Sequence, residues 1–416
     1  MTDGRSEGAT VAGWRVYRVG GWVRDHLLGL SAGDADWVVM GVTPEMMLAR
    51  GFRQVGADFP VFLHPETGAE YALARTERKS GSGYKGFVTH FDATVTLEED
   101  LFRRDLTINA MAWDETTGLI DPHGGRQDLE NRLLRHVSPA FAEDPLRVLR
   151  VARFAARLAP LGFRVAPETL LLMKQLARSG ELATLTPERV WQETAKALAT
   201  QAPATYLRVL NACGALSVVF PELAALRGQT QPPRHHPEGD AWEHTLLVLE
   251  QISRMTSDPV VRFAALVHDL GKGLTPASLL PHHYGHEERG VACVEKMCQR
   301  LRIPGDFQRL GMMVAGLHTR VHRSVEMQPK TIVRLLTDAD AFRNPGRFEA
   351  MLLACEADVQ GRGMAAVDYP QQRLLRAALA VCQEIDTAPF QARGLTGKAM
   401  GDAIHEERVR RVRLNA

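Results

Sequence analysis

Asp34 and Asp36 stand one residue apart in GDADWVVMG, residues 33 to 41, immediately before the apolar run WVVM. Such a run reads as a buried strand, and side chains at i and i+2 of a strand share one side. Two carboxylates aimed at one point repel unless a cation or a proton lies between them, and hard oxygen ligands suit Mg2+. The competing reading is a Gly-Asp-Ala-Asp turn whose aspartates face solvent. Upstream, YRVGGWVRDHLLGL places Gly20 and Gly21 between a strand and an amphipathic helix carrying Arg24. Backbone N–H groups at a helix start, made approachable by Gly21, form an anion site to which Arg24 adds positive charge. A phosphate cradle beside a carboxylate pair is what phosphoryl transfer from a triphosphate to a hydroxyl requires. Glu70, at the start of the strand-like EYALAR, is either a third carboxylate of this site or a strand-edge acid facing water.

A second set of charges lies in EDPLRVLRVARFAAR, where Arg147, Arg150, Arg153 and Arg157 are spaced by three, three and four residues. On a helix they fall within roughly a third of the circumference. Asp144, three residues before Arg147, would sit beside that guanidinium on the same helix. A carboxylate accepts from an exocyclic amine while an arginine donates to the adjacent ring nitrogen, so the pair fits cytosine and adenine. Guanine and uracil present the reverse pattern and leave both groups unpaired. The basic, glycine-rich loop RTERKSGSGYKGF, residues 75 to 87, either follows the substrate as the site cycles or is an ordinary hairpin.

The elements that must hold these groups fall into blocks. Residues 14–137 mix strand-like runs (WRVYRVG, DWVVMG, PVFLH, EYALAR, LTINAMAW) with short helices, an α/β pattern. Residues 138–226 read as short helices interrupted by Pro167, Pro187, Pro203 and Pro221. Residues 227–240, RGQTQPPRHHPEGD, have the polar, proline-rich composition of a linker. Helical periodicity resumes over 241–363 and continues through 364–416. Nine of the fifteen histidines fall between Arg234 and Arg323, which demands a chemical explanation.

Composition narrows the class. At 416 residues the chain has room for two to four domains, with 45% hydrophobic and 24% charged residues. Its start, MTDGRSEGATVAG, has neither a basic n-region nor an apolar h-region, so a cytoplasmic location is expected. No apolar run reaches the ~18 residues of a membrane span. The five cysteines form no CxxC pair, which speaks against a disulfide framework or a thiolate zinc site. A net charge of +1 means that a nucleic-acid partner must be met by local basic patches.

VGGWVRD, GDADW, RRDLTINA and EDPLRVLRVARF occur in the order found in the nucleotidyltransferases that add CCA to tRNA, the branch that also holds bacterial poly(A) polymerases, and the resemblance covers nearly the whole chain. It implies an α/β nucleotidyltransferase head of the DNA polymerase β superfamily type, followed by an all-α neck and body and an all-α HD domain. It also implies CTP and ATP as substrates, the tRNA 3' end as partner, and Mg2+ on Asp34 and Asp36. Asp144 and Arg147 then select the base, Gly21, Arg24, Arg104, Arg150 and Arg153 bind nucleotide, and Asp105 and Asn109 brace the site. The adjacent His268 and Asp269 in VRFAALVHDLGKG resemble the metal-dependent phosphohydrolases named for that pair. Those enzymes add an upstream histidine and a downstream aspartate, for which His244 and Asp358 have the right types and order, with His286 and His318 available for a second ion or for phosphate. Imidazole plus carboxylate suits Ni2+, Mn2+, Fe2+ or Co2+, and the implied reactions are phosphatase, 2'-nucleotidase and 2',3'-cyclic phosphodiesterase. Poly(A) polymerases are expected to lack the His-Asp module and to carry a long basic tail. Regulators that uridylylate a partner protein are far longer, and an inactive RNA-binding module would have lost acidic or metal-ligand positions. The expected assembly is a monomer or a homodimer.

Overall fold

In the computed structural model the described residues are 13–31, 33–55, 61–79, 87–90, 93–234, 236–363 and 367–414. The chain divides into two compact units, one formed by residues 1–185 with 212–215, the other by 186–211 with 216–416.

The first unit is built on a seven-stranded mixed sheet. In chain order its parts are β1 (Arg15–Val19), helix α1 (Gly21–Leu27), β2 (Asp36–Met40), α2 (Pro44–Ala49), β3 (Arg53–Val55), β4 (Val61–Leu63) and β5 (Glu70–Leu73). A separate hairpin of β6 (Thr76–Lys79) and β7 (Phe87–His90) follows. Then come α3 (Leu97–Phe102), β8 (Ala112–Asp114), β9 (Gly118–Ile120), α4 (Gly125–Glu130) and α5 (Leu146–Leu158). The strand order is β3-β4-β5-β2-β1-β8-β9, and β2 with β5 is the parallel pair. The run WVVM is apolar throughout because β2 is covered on both faces. Trp37 and Val39 pack with Met47, Phe52, Phe62 and Tyr71, whereas Val38 packs with Val19, Leu101, Ala110 and Ala112 on the other side. A capping box between Thr96 and Glu99 starts α3 and fixes the buried Asp100 one residue later.

The expected strand LTINAMAW is a 3-10 turn, Thr107–Asn109, followed by the short β8. Its apolar side chains Leu106, Ile108, Ala110, Met111 and Ala112 are all buried, so composition alone reads as a strand. The polar Asp105, Thr107 and Asn109 between them are also buried and take side-chain partners, which turns the backbone.

The second unit is helical. Asp240 and Asp258 cap the helices Ala241–Met255 and Pro259–Val267 by accepting from Glu243 N and Val260 N. Every residue from Val261 to Val267 is buried, so Pro259–Val267 is the central helix. Its one charge, Arg262, donates to the carbonyls of Leu198, Thr200, Ser253 and Thr256, three or more of them at helix ends. No helix among the described residues is long and apolar enough to cross a membrane.

The segment 227–240, expected as a linker, is a folded loop of the second unit. Thr230 bridges Asp240, Gly228 N donates to Asp240 Oδ2, and Gln231 is buried. Asp240, Gln231, His236 and Glu238 take partners within the second unit, so part of this polarity signalled pairing and not solvent.

Two candidate phosphoryl-chemistry sites

The sheet assembles the first site. β1 and β2 run antiparallel with Val19 opposite Asp36, so the Gly20-Gly21 turn leaves β1 where Asp36 opens β2. β2 and β5 run parallel with Trp37 opposite Tyr71, which sets Glu70 one step earlier beside Asp36. Asp34 lies in the bend just before the strand, and Asp34, Asp36 and Glu70 are all exposed. Gly20 has φ 69°, and a Cβ there would lie 2.9 Å from an Arg104 guanidinium nitrogen. Glycine is thus favoured for the turn, and a side chain there would displace the Arg104 guanidinium. The carboxyl of Asp36 is raised above its ordinary value, first by desolvation and then by Asp34, against the lowering effect of Arg104. A carboxylate whose ionisation is opposed by desolvation and by a neighbouring carboxylate fits a divalent cation.

Behind this surface runs a chain of buried ion pairs. Asp100, with no exposed surface, holds Arg103 at 2.8 Å and Arg104 at 3.1 Å, and the Arg104 guanidinium also donates to Asn109 O. Asp105 accepts from Leu106 N, Asn109 Nδ2 and Arg150 Nε. Burial opposes its charge, yet Arg150 and Asn109 bring its pKa down to about 2. Asn109 Oδ1 accepts from Arg24, which pairs with Asp25, which in turn holds Arg157 at 2.7 Å. The result is a continuous path Arg150–Asp105–Asn109–Arg24–Asp25–Arg157.

These contacts change two expectations. Arg24 does not project into an open anion site; its guanidinium is buried, engaged by Asp25 and Asn109 and lying over the Phe154 ring at 5.1 Å. Asp144 is not on the arginine helix, because Pro145 caps that helix and α5 starts at Leu146. Asp144 sits in extended backbone and accepts from Leu146 N. Arg147 is buried and donates to the carbonyls of Ala140 and Arg103. Arg150 and Arg153 are half-buried, with Arg153 4.2 Å from the Phe154 ring centre. Gly21 is the first residue of α1. Residues 80–86 of the expected substrate-following loop lie outside the described residues; its flanks form the hairpin β6–β7.

The second site gathers five imidazoles, His244, His268, His286, His318 and His322, around Asp269 and Asp358. His268 is the first residue after Pro259–Val267 and Asp269 the next, so a helix end lets both face one point. His268 Nδ1 lies 2.7 Å from Ala265 O, His286 Nδ1 2.8 Å from His283 O, and His318 Nδ1 3.1 Å from Val314 O. A carbonyl only accepts, so each Nδ1 carries a hydrogen and each ring turns its Nε2 inward. His318, pushed down to about 3 chiefly by burial, is neutral. His244 Nδ1 faces Glu238 at 2.8 Å and its Nε2 meets Asp358 at 3.0 Å. The inward nitrogens crowd one another and the carboxylates: His286 Nε2 and His318 Nε2 are 3.2 Å apart, and His268 Nε2 is 3.1 Å from Asp269 Oδ2. Imidazole nitrogens and carboxylate oxygens converging in a buried place fit metal cations. The donor atoms of His244, His268 and Asp358 form one group that could hold an ion, and those of Asp269, His286 and His318 another. His236, Glu238 and His244 form a third.

Gly271 of HDLGKG explains how His286 reaches the cluster. A Cβ on Gly271 would lie 1.9 Å from His286 O, so only glycine lets the helix His286–Leu301 pack this closely. Sequence reasoning missed Asp25, Asp100, Glu238, Lys272 and His322. Asp25 directly follows Arg24, and Asp100 precedes Arg103 and Arg104 by three and four residues, which is helical ion-pair spacing and was readable. Lys272 Nζ lies 2.6 Å from Asp269 and donates to Gln231, and His322 Nε2 lies 2.6 Å from Asp358 Oδ2. His322 belongs to the histidine-rich stretch; Glu238 carried no signal beyond its place in a supposed linker.

Fold and sites together define a polymerase-type nucleotidyltransferase head joined to a helical HD module. The Poly A polymerase head domain model matches residues 16–135, the model described as a probable RNA and SrmB-binding site of polymerase A matches 162–226, and the HD domain model matches 241–344. The "Multifunctional CCA protein" of Thioalkalivibrio sulfidiphilus is 59% identical over 95% of this chain and 97% of its own length, and that of Hahella chejuensis is 55% identical over 95% and 94%. The chain belongs to the family of multifunctional CCA proteins. A solved CCA-adding enzyme in complex with ATP shares the fold with a TM-score of 0.65 at 21% identity, covering 96% of this chain and 86% of that one. A Thermotoga maritima CCA-adding enzyme complexed with tRNA gives 0.61 at 22% identity, covering 96% and 87%. Asp358 lies beyond the matched HD span, on the helix Pro345–Gln360, and joins the cluster through His244.

Proposed function

We propose that this chain builds and repairs the 3'-terminal CCA of tRNA from CTP and ATP in its first unit. In its second unit it hydrolyses phosphomonoesters, 2'-nucleotides and 2',3'-cyclic phosphates. The observation that carries the reading is the meeting of Asp34, Asp36, the Gly20-Gly21 turn and Arg104 at one end of the central strands, in a chain that matches multifunctional CCA proteins over nearly its whole length. Mg2+ held by Asp34 and Asp36 would neutralise the triphosphate and favour ionisation of the attacking 3'-hydroxyl. Glu70 adds a third carboxylate at the start of the neighbouring strand β5. The N–H groups at Gly21, with Arg104, Arg150 and Arg153, bind the triphosphate. Arg24 acts from beneath by fixing Asn109 and, through it, Asp105 and Arg150. Asp144 and Arg147 select cytosine and adenine, the Arg147 plane being set by the carbonyls of Ala140 and Arg103.

In the second unit His244, His268, Asp269 and Asp358 hold Ni2+ or another transition ion, which would polarise a phosphoryl oxygen and supply hydroxide near neutral pH. His286 and His318 face the same space and suit a second ion or the phosphate. Lys272 neutralises the charge of Asp269.

The test is a tRNA lacking its CCA, incubated with labelled CTP or ATP, alongside a phosphomonoester assay after chelation and re-addition of Ni2+, Co2+, Mn2+ or Mg2+. Asp36→Ala should lose addition and keep hydrolysis, and Asp269→Ala the reverse. Addition that persists in Asp36→Ala, or hydrolysis that no ion restores in the unaltered chain, would overturn the corresponding half of the reading.

A further inference from the structure

Beside the metal-type cluster of the second unit opens a cleft of about 300 Å3, lined among others by Gln231, Lys272, His282, Tyr284, His286 and Glu287. That is the low end of small-ligand sites, enough for one small molecule. One wall carries cluster residues, since His286 Nε2 is 3.5 Å from Asp269 Oδ1 and Lys272 Nζ contacts Asp269. The other wall is aromatic. Tyr284 is 70% exposed, and its ring stacks on His282 with centres 5.5 Å apart and planes 20° apart.

The backbone beneath those rings is pinned although the rings are open. Arg289 donates to Tyr284 O at 2.8 Å, and His283 is held between Thr275 Oγ1 and Thr230 O. His283 O in turn accepts from His286 Nδ1, and Gly285 makes the bend between them at φ 69°. One tight turn thus fixes the stacked pair at 282 and 284 relative to the inward-facing imidazole at 286. A large ring left uncovered on an anchored backbone, at the mouth of a site suited to phosphate chemistry, has the form of a stacking surface whose partner is a flat ring four or five bonds from a phosphate.

We propose that Tyr284 and His282 form a base platform, on which a nucleoside carrying a 2'- or 3'-phosphate stacks while its phosphate reaches His286, Lys272 and the metal-type cluster. The inference rests on the hydrolytic reading of the second unit and adds to it the part of the substrate that is recognised. Stacking tolerates every base, so the platform distinguishes nucleotides from base-less phosphoesters and not one base from another. A mononucleotide and the terminal nucleotide of an RNA present the same face to it.

The experiment uses the full chain loaded with Ni2+ or Mn2+, unaltered and as Tyr284→Ala and Tyr284→Trp. The substrates are adenosine 2',3'-cyclic phosphate, adenosine 2'-monophosphate, a short RNA ending in a 2',3'-cyclic phosphate, and glycerol 2-phosphate. Tyr284→Ala should raise KM for the adenosine substrates about 5- to 150-fold, the range of one lost base stack. It should leave glycerol 2-phosphate kinetics unchanged, and Tyr284→Trp should restore the nucleotide KM. Whichever of mononucleotide and RNA end has the lower KM in the unaltered chain is the preferred source. Equal KM values for Tyr284→Ala and the unaltered chain, or equal losses on glycerol and adenosine esters, would overturn the platform. If the unaltered chain hydrolyses none of these, the hydrolytic reading falls. The platform is then judged by equilibrium binding of adenosine 2'-monophosphate in an Asp34→Ala, Asp36→Ala background. A Kd weakened 5-fold or more by Tyr284→Ala sustains it, and an unchanged Kd rejects it.

Discussion

Replacing Asp105 by asparagine tests the buried path beneath the first site with the least change of shape. The amide oxygen can keep the bonds from Leu106 N and Asn109 Nδ2, but an NH2 group would then face Arg150 Nε and Nη2, which now meet a carboxylate oxygen at 2.7 Å. A carboxyl whose pKa falls from 3.8 to about 2 contributes about 2.5 kcal/mol at neutral pH. Because the Arg150 side chain is 36% exposed, solvent screening brings this to about 1–2 kcal/mol. The folded value is the depressed one, so this stability is complete above the unfolded pKa near 3.8 and is lost as pH falls through about 2. Urea unfolding of the full chain should therefore show Asp105→Asn less stable at pH 7 and nearly level with the unaltered chain at pH 2. Release of Arg150 should also raise KM for CTP and ATP about tenfold, the equivalent of about 1.4 kcal/mol. The same substitution in an Arg150→Ala background should add little, since the partner is already gone. An unchanged nucleotide KM, or full additivity of the two substitutions, would refute the claim that Asp105 acts by holding Arg150.

Four further outcomes are expected. Gly20→Ala forces a side chain into a left-handed turn and against Arg104, and should cut CTP and ATP addition at least tenfold without loss of hydrolysis, read by parallel assays on one preparation. Asp144→Ala should lose discrimination between CTP or ATP and the other two nucleotides by about 1–3 kcal/mol; a variant slower but fully selective would make Asp144 a scaffold residue that accepts from Leu146 N. His268→Ala should lower bound transition metal, measured by elemental analysis after dialysis, and abolish metal-dependent hydrolysis while addition survives. Glu238→Gln removes the carboxylate that orients His244 and should weaken metal affinity about 10- to 100-fold by titration, with little effect on a base-less ester at saturating metal.

The chemistry of the two sites was more legible than the scaffolding that aims it. Asp34 and Asp36, and His268-Asp269 in its histidine-rich stretch, stand out because their signals are local, although β2 starts only at Asp36 and leaves Asp34 in the preceding bend, so the period of two does not span the pair. Long-range pairings left weaker traces. Glu238 meets His244 through a loop whose composition resembles a linker, and Gln231 reaches Lys272 across 41 positions. Arg24 reads as the positive charge of an anion site because it stands in the first turn after Gly20-Gly21; its buried pairing with Asn109, 85 residues away, leaves no such trace. Asp144 and Arg147 illustrate the opposite limit: a spacing of three implied a shared helix face, and one proline between them moved the helix start.

Sequencing of tRNA 3' ends tests the central claim most directly. A transcript lacking its last three nucleotides is incubated with the full chain, Mg2+ and all four nucleoside triphosphates, and the products are read end to end. The account predicts addition of C, C and A and then a stop, with transcripts ending in C or CC completed to the same terminus. Runs of A, incorporation of G or U at comparable rates, or no extension would contradict it.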